Sequence, residues 1–305
     1  MESFFQTISR KTGSGGKCRV AIPLAQDKAC AYAVSRALEA GMIVPVLIGK
    51  GKEIEAMYGA CLRGNESVII EEADAEKACK TAVRMVREGT ADIVMKGLVP
   101  TSVLLKAVLN SQEGIKKNPL LSHLCYFELP GKPGMKILSD AAINIAPDAE
   151  TLARIVENAV ESFSLFSKNV PKVALLAANE KVSDKVPSTG LAKETADLLK
   201  DRRDIIVEGP ISLDLAVSPE SGKIKKYGGR IQGDADIFIV PRIEVGNVFY
   251  KSLQYFAGAS MAGVVYGARC PVVLTSRSDS NDTKFYSLGL GVTMNGRKAV
   301  GEAGK

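Results

Sequence analysis

The chain has 305 residues, of which 46% are hydrophobic and 24% are charged, which is typical of a soluble protein with two domains. Its N-terminal residues lack the basic start and apolar block of a signal peptide, so we expect a cytoplasmic protein. The formal net charge of +6 favours an anionic ligand, whereas the absence of tryptophan and of basic runs interleaved with aromatic residues disfavours nucleic acid.

Short apolar segments alternate with amphipathic segments in the first third of the chain. Apolar runs predict strands at 18–24, 43–48, 68–70 and 92–95, and a 3.6-residue period predicts helices at 27–40, 75–87 and 101–110. Asp27 is positioned to cap the first of these helices, and Gly41 ends it. Because strands alternating with such helices require parallel crossovers, we expect an open α/β sheet with helices on both faces.

This alternation is interrupted at 120–142, where strand-like runs at 120–129 and 135–138 flank a turn rich in proline and glycine, which predicts a β-hairpin. It then resumes, with helices predicted at 149–166, 189–200 and 248–262 and strands at 172–177, 205–208, 236–240 and 271–275. We expect residues 1–140 and about 275–305 to form a first α/β domain, and residues 141–274 to form a second.

Two further segments invite a structural interpretation. The uncharged stretch 252–268 is too short and polar for a membrane span, so we expect a buried helix there and no membrane association. The stretch 218–233 combines Pro219 with four glycines and four cations, which predicts either a solvated loop or a lid over an anionic ligand.

Several familiar sites are disfavoured by the sequence. The six cysteines contain no C-x-x-C pair and His123 is the only histidine, so we expect free thiols and no metal. The glycines before Lys17 precede the first strand, which excludes a Walker motif, and no G-x-G-x-x-G follows a strand. His123 lies in an apolar run typical of a packed residue, and Ser276 lacks a G-x-S-x-G elbow.

Polar clusters follow two predicted strands at the sheet edge where α/β proteins bind ligands. One strand runs into Ser276, Arg277 and Asp279, and Arg277 offers a planar cation that suits phosphate or carboxylate. The same cluster also fits a helix cap, and the two interpretations are compatible because a helix N-terminus favours anions. The other strand runs into Lys96, with Thr101 at the next helix start. We expect these two strand ends, one in each half of the chain, to face each other across a cleft.

Three more polar side chains belong to the candidate site. Asn144 follows the second hairpin strand, and Asn247 and Lys251 lie one helical turn apart on one face. Ordinary solvated charges are the alternative interpretation of both Lys96 and Lys251.

Six short motifs then occur in order between about residues 15 and 295. They are Lys96-Gly97-x-x-x-Thr101, Ser139-Asp140-Ala141-Ala142-x-Asn144-x-x-Pro147, Gly209-Pro210-x-x-x-Asp214-x-Ala216, Gly233-Asp234-Ala235-Asp236-Ile237, Pro241-x-Ile243-Glu244-x-Gly246-Asn247-x-x-Tyr250-Lys251 and Ser276-Arg277-Ser278-Asp279. Together they resemble the phosphate acetyltransferase and phosphate butyryltransferase family. The first and last of them are more similar to the butyryltransferase branch.

This resemblance implies an acyltransferase that moves a short-chain acyl group reversibly between coenzyme A and inorganic phosphate, giving an acyl phosphate. Acyl-CoA and phosphate are then the substrates, and no cofactor is tightly bound. The implied architecture has two α/β domains with mainly parallel sheets around a central cleft, similar to isocitrate and isopropylmalate dehydrogenases. The family also implies a homodimer, with 141–274 as the dimerisation domain.

The resemblance also implies roles for particular residues. Ser276 and Arg277 match the catalytic Ser-Arg pair of the acetyltransferases. The acetyltransferase aspartate falls on Thr283, so Asp282 is our choice of base and Asp279 is its competitor. Residues 120–124 lack the arginine of the acetyltransferases, so phosphate binding falls to Lys96. Further candidates for substrate binding are Thr101, Asp279, Asn144, Asn247 and Lys251.

Other functions are compatible with the same residues. A phosphate acetyltransferase and an enzyme that takes its acyl group from acyl carrier protein share the chemistry. An NAD-dependent decarboxylating dehydrogenase shares the architecture, but it needs clustered aspartates for Mg²⁺. A catalytically silent ligand-binding homologue is disfavoured because Ser276, Arg277 and Asp282 are retained.

Overall fold

The computed structural model describes residues 3–10 and 16–303. The chain divides into two compact units. The first unit contains the residues up to Pro119 together with the segment that starts at Ser260, and the second unit is Leu120–Ala259. The predicted domain limits near 140 and 275 stay a prediction, because compactness alone does not show which segments fold independently.

The first unit is a mostly parallel sheet with its helices. Its elements are α1 (Phe4–Ile8), β1 (Cys18–Pro23), α2 (Lys28–Glu39), β2 (Ile43–Gly49), α3 (Gly51–Leu62), β3 (Val68–Glu71), α4 (Ala75–Arg87), β4 (Ile93–Met95), α5 (Thr101–Val108), β10 (Ser260–Tyr266), β11 (Val272–Val273) and α11 (Asn281–Ala303). The strand order is β3-β2-β1-β4-β11-β10, and β10 runs antiparallel to β11.

Local sequence explains most of this unit. Every residue of β2 is buried, as expected for a parallel strand covered on both faces. The side chain of Asp27 caps α2 by accepting a hydrogen bond from the backbone N–H of Ala29 at 2.8 Å, as predicted. The helix α11 packs closely on the sheet, since a Cβ on Gly291 would lie 2.6 Å from Val273 Cγ2.

The second unit has the strand order β5-β6-β9-β7-β8. The strands β5 and β6 form the predicted antiparallel hairpin, and the other pairs are parallel. Its elements are β5 (Ser122–Leu129), β6 (Lys132–Ser139), α6 (Ala149–Ser164), β7 (Lys172–Leu176), α7 (Pro187–Leu198), β8 (Ile206–Ile211), α8 (Leu213–Val217), α9 (Pro219–Lys225), β9 (Ile237–Ile239) and α10 (Ile243–Tyr255). Both units confirm a mixed α/β fold with mostly parallel strands.

The expectation of a buried helix across 252–268 was wrong. The helix α10 ends at Tyr255, and the chain then turns through Gly258, whose φ of 58° suits glycine, into the strand β10. The β-branched Val264 and Val265 pair with β11, which favours a strand over a helix. In the described part of the chain, no helix is long and apolar enough to cross a bilayer.

The loop predicted at 218–233 is partly a helix. Ser218 caps α9 by accepting a hydrogen bond from the Ser221 N–H at 3.2 Å, and Pro219 occupies the first helical turn, where proline is favoured. The carboxylate of Glu208 then accepts hydrogen bonds from the Ile231 N–H at 2.9 Å and the Tyr227 hydroxyl at 3.2 Å. Neither α1 nor α3 was predicted, and α3 buries only Ile54 and Tyr58, which is a weak amphipathic signal.

Candidate active site

The carboxyl ends of β1, β4 and β11 meet at one edge of the first unit, because these neighbouring strands are parallel. The Lys96 N–H donates to the Val273 carbonyl at 2.9 Å. A Cβ on Gly97 would overlap the carbonyl oxygens of Pro23 and Leu24, so only glycine permits this close approach. The predicted polar ends of β4 and β11 therefore lie side by side at one sheet edge. The expectation that they face each other across a cleft was wrong, because β4 and β11 are adjacent parallel strands of the same unit.

Lys96 is a buried cation at this edge, with 6% of its surface exposed. Its Nζ donates to the carbonyl oxygens of Gly97 at 3.2 Å and Val99 at 3.3 Å. Burial lowers the pKa of the Lys96 ammonium, and the nearby charges of Arg277 and Lys284 lower it further, against the opposing effects of Cys30 and Asp27. Such a concentration of positive charge suits an anionic ligand.

The residues 276–280 form a tight turn that is held by hydrogen bonds between its own residues. The Ser276 N–H donates to Asp279 Oδ2 at 2.6 Å, and the Asp279 N–H donates to the Ser276 carbonyl at 3.3 Å. The side chains of Ser276 and Arg277 are exposed. Ser280 caps α11 by accepting from the Thr283 N–H at 3.0 Å, so the cluster is both a helix cap and a polar strand end.

The two candidate bases have different surroundings. Asp279 is 6% exposed, and its Oδ1 has no hydrogen-bond partner among the described residues. The side chain of Asp282 is 60% exposed and pairs with Arg36 Nη1 at 2.6 Å. Arg36 in turn lies 4.0 Å from the centre of the Phe285 ring. Asp279 thus belongs to the turn that carries Ser276, whereas Asp282 belongs to a contact with α2.

Lys284 is a residue of this site that the sequence analysis missed. It lies in the first turn of α11 and is only 3% exposed. A signal was present, because Lys284 shares helical spacing with the buried residues Ser287, Leu288 and Gly291. A charged residue on the buried face of a helix marks a candidate functional position.

Two other residues, Thr101 and Cys30, lie close to this edge. Thr101 begins α5 directly after this edge and is half-buried, and its helix has no side-chain cap. Cys30 is buried with its Sγ 3.6 Å from the Lys96 carbonyl oxygen. Burial and the charge of Asp27 raise the pKa of the Cys30 thiol to about 12 although Lys284 and Lys96 oppose them, so it is not a nucleophile at neutral pH.

The remaining predicted residues lie in the second unit. Asn144 donates from Nδ2 to Asp140 Oδ2 at 2.6 Å and to the Leu121 carbonyl at 3.0 Å, so its amide nitrogen holds its own loop. Asn247 is exposed near the start of α10, and Lys251 is half-buried one turn later. Close packing of Gly246 against Asp140 brings the start of α10 to the Asn144 loop.

Neither a metal site nor a histidine base is found in the described part of this arrangement. The described residues contain no group of three or more histidine, cysteine, aspartate or glutamate side chains placed to hold a metal ion. All six cysteines are free. His123 is buried, and its ring centre lies 6.2 Å from that of Tyr250, as in ordinary side-chain packing.

Comparison with known proteins agrees with this chemistry. The Phosphate acetyl/butaryl transferase family model matches residues 60–290. The chain is 42% identical over 275 residues to the probable phosphate butyryltransferase of Bacillus subtilis, which covers 90% of this chain and 92% of that protein. It is 37% identical over 298 residues to the phosphate butyryltransferase of Clostridium acetobutylicum, covering 96% of this chain and 99% of that protein.

Solved structures extend the comparison to the fold. The branched-chain phosphotransacylase from Enterococcus faecalis matches with a TM-score of 0.83 at 38% identity, over 91% of this chain and 99% of that chain. The 4-hydroxythreonine-4-phosphate dehydrogenase from Klebsiella pneumoniae matches with a TM-score of 0.56 at 10% identity, over 92% and 100%, which concerns the fold alone. The chain therefore belongs to the phosphate acetyl/butyryl transferase family of acyltransferases, which confirms the resemblance of its motifs.

Proposed function

We propose that the protein transfers a butyryl or branched short-chain acyl group reversibly between coenzyme A and inorganic phosphate. The observation that carries this proposal is the pair of cations Lys96 and Arg277 at one sheet edge, neither of which has an ion-pair partner among the described residues. Phosphate and acyl phosphate are anions that such a pair suits. The preference for butyryl over acetyl groups is supported by the names of the relatives at 42% and 37% identity.

The chemistry follows from these groups. In the direction of acyl-CoA formation, a base takes the thiol proton of coenzyme A, whose pKa is about 8.5, like that of cysteine. The sulfur attacks the acyl phosphate carbonyl, a C–S bond forms, and the C–O bond to phosphate breaks. Arg277 and the Ser276 hydroxyl stabilise the tetrahedral oxyanion, and Lys96 holds the departing phosphate. One such oxyanion donor contributes about 3 to 4 kcal/mol in enzymes where it has been measured.

We assign the base to Asp279 in preference to Asp282, which the sequence analysis placed first. Asp279 shares its turn with Ser276 and keeps one carboxylate oxygen without a protein partner. Asp282 is exposed and paired with Arg36. Asn144, Asn247, Lys251 and Thr101 remain candidates for substrate binding.

A phosphate-dependent thiol-release assay tests the function. We expect the highest kcat/KM with butyryl- or branched acyl-CoA, a lower value with propionyl-CoA and the lowest with acetyl-CoA. Each methylene group that an apolar acyl pocket accommodates raises kcat/KM by about tenfold or more. Preference for acetyl-CoA would identify a phosphate acetyltransferase. Turnover with acyl carrier protein alone would support that rival acyl donor, and thiol release without phosphate would contradict phosphate acyl transfer altogether.

We also propose four further properties of the protein. They are the arrangement of two α/β domains around a central cleft, the homodimer, the cytoplasmic location and the lack of a tightly bound cofactor. The family membership supports each of them, and it favours acyl transfer over the dehydrogenase alternative.

A further inference from the structure

Lys284 is a largely buried cation for which the described residues provide no partner. It is 3% exposed, and no carboxylate, hydroxyl or carbonyl among those residues is within hydrogen-bond or ion-pair distance of its ammonium. Because a charge that is mostly removed from water is stabilised by pairing, an anionic ligand is favoured at this position.

The surroundings of Lys284 show what kind of partner is missing. Lys96 and Arg277 add positive charge at the same edge of the first unit, as the electrostatic influence of Arg277 and Lys284 on Lys96 indicates. The carboxylate of Asp27, which acts on Lys96, is already engaged by the Ala29 N–H of α2 at 2.8 Å. The three cations Lys96, Arg277 and Lys284 therefore outnumber the two carboxylates of Asp27 and Asp279 at this edge.

The position of Lys284 in its helix also favours an anionic ligand. The turn that precedes α11 carries Ser276 and Arg277, and Ser280 caps the helix. Lys284 lies in the first turn, so its side chain is beside the N-terminus of α11, where the helix dipole favours negative charge. The unpartnered ammonium and the helix end independently indicate an anion.

We propose that Lys284 and Lys96 together bind the phosphate group that is exchanged with coenzyme A. The inference rests on the proposed function and adds a second phosphate-binding residue to it. Two ammonium groups complement a phosphate dianion, and Arg277 is left for the carbonyl oxygen at which the oxyanion develops. Lys284 thus contributes to the binding of phosphate and not to the binding of acyl-CoA.

Replacing Lys284 by methionine tests this directly, because Lys284→Met keeps an unbranched side chain out to the ε position and removes the charged ammonium group. Without ligand, we expect Tm to stay equal or rise, since an unpaired buried charge is lost. At the same concentration, inorganic phosphate should raise the Tm of the wild type clearly more than that of Lys284→Met. The KM for phosphate should increase about ten- to a hundredfold, as expected for losing a hydrogen bond between charged groups, with little change in the KM for acyl-CoA.

Two further variants make the outcome specific. Lys284→Arg should recover part of the phosphate-dependent rise in Tm. If Lys284→Met does not fold, Lys284→Gln, which also removes the charge, takes its place. Lys52→Met makes the same change at an exposed lysine of α3 and should behave like the wild type.

A Lys284→Met protein that keeps both the wild-type phosphate response and the wild-type KM for phosphate would overturn the inference. If phosphate protects the wild type through Lys284 but no acyl group is transferred, the phosphate site stands and the proposed function fails. If the wild type transfers acyl groups but Lys284→Met keeps a normal KM for phosphate, the proposed function stands and the role of Lys284 in phosphate binding fails.

Discussion

Asp279 and Asp282 are close in sequence but have different surroundings. Asp279 closes the turn after β11 through the Ser276 N–H, with its second oxygen buried and unbonded among the described residues. Asp282 lies at the start of α11 with its carboxylate on Arg36 of α2. At the scale of single residues, the direction of each side chain, and not its distance from Ser276 along the chain, identifies the better candidate base.

Substitution by asparagine separates these two carboxylates. Asp279→Asn keeps an oxygen that accepts from the Ser276 N–H but removes the base, so we expect kcat to fall by about 10²- to 10⁴-fold. Asp282→Asn loses an exposed ion pair, which contributes at most about 1 kcal/mol to stability, and should keep most of the activity. Steady-state rates of thiol release with both variants provide the measurement. The reverse order of activities would return the role of base to Asp282.

At the scale of secondary structure elements, Gly97 controls how closely the end of β4 approaches the end of β1. The carbonyl oxygens of Pro23 and Leu24 occupy the space where a Cβ would lie, and the Leu98 N–H donates to the Leu24 carbonyl at 2.8 Å. Lys96 is the adjacent residue, so the backbone position of this phosphate-binding candidate depends on the contact between the two strands.

We therefore expect Gly97→Ala to destabilise the protein by about 1 to 3 kcal/mol, the usual cost of overpacking, and to raise the KM for phosphate by displacing Lys96. Urea unfolding and the thiol-release assay provide the two measurements. Gly59→Ala is the matched control, since Gly59 lies in α3 with nothing within 4 Å of the added Cβ. This control should be neutral or more stable by up to about 1 kcal/mol. Equal stabilities of the two variants would argue against a tight contact at Gly97.

Two elements, the helix at 75–87 and the strand β10, show where sequence periodicity is sufficient to predict secondary structure and where it is not. The helix at 75–87 was predicted with its observed limits, because Asp74 caps it and Ala78, Cys79, Ala82 and Val83 repeat on one face. In contrast, β10 consists of small and apolar residues without alternation, so the same letters fit a helix. Its antiparallel pairing with β11, of Val264 with Val273 and of Val265 with Val272, decides between the two. The periodicity of the apolar run does not show that pairing.

At the scale of the whole molecule, buried thiols connect stability to pH. Burial raises the pKa of the thiols of Cys30 and Cys79 to about 12 and that of Cys18 higher still, from an ordinary value of 9.0. Each thiol contributes stability that is fully present below pH 9 and is lost as the pH rises toward its folded-state pKa. Lys96 acts in the opposite sense because its pKa is lowered, but three thiols outweigh one ammonium.

We predict that the free energy of unfolding decreases above pH 9, by up to about 1.4 kcal/mol per pH unit for each buried thiol. Urea unfolding under reducing conditions at pH 7.5, 9 and 10 measures this dependence. The Cys79→Ala variant should show a shallower decrease than the wild type, since one of these thiols is removed. An identical decrease in both proteins would show that other groups cause the alkaline loss.

Local periodicity, turn residues and short motifs were sufficient to predict the alternation of strands and helices, the β-hairpin and the family. The same patterns placed Lys96, Ser276 and Arg277 at the polar ends of apolar strands. The burial of Lys284, which has no partner among the described residues, and the contact of Asp282 with Arg36 are visible only in the folded chain. Burial and pairing depend on which distant elements pack together, here α11 against α2 and the β4 edge.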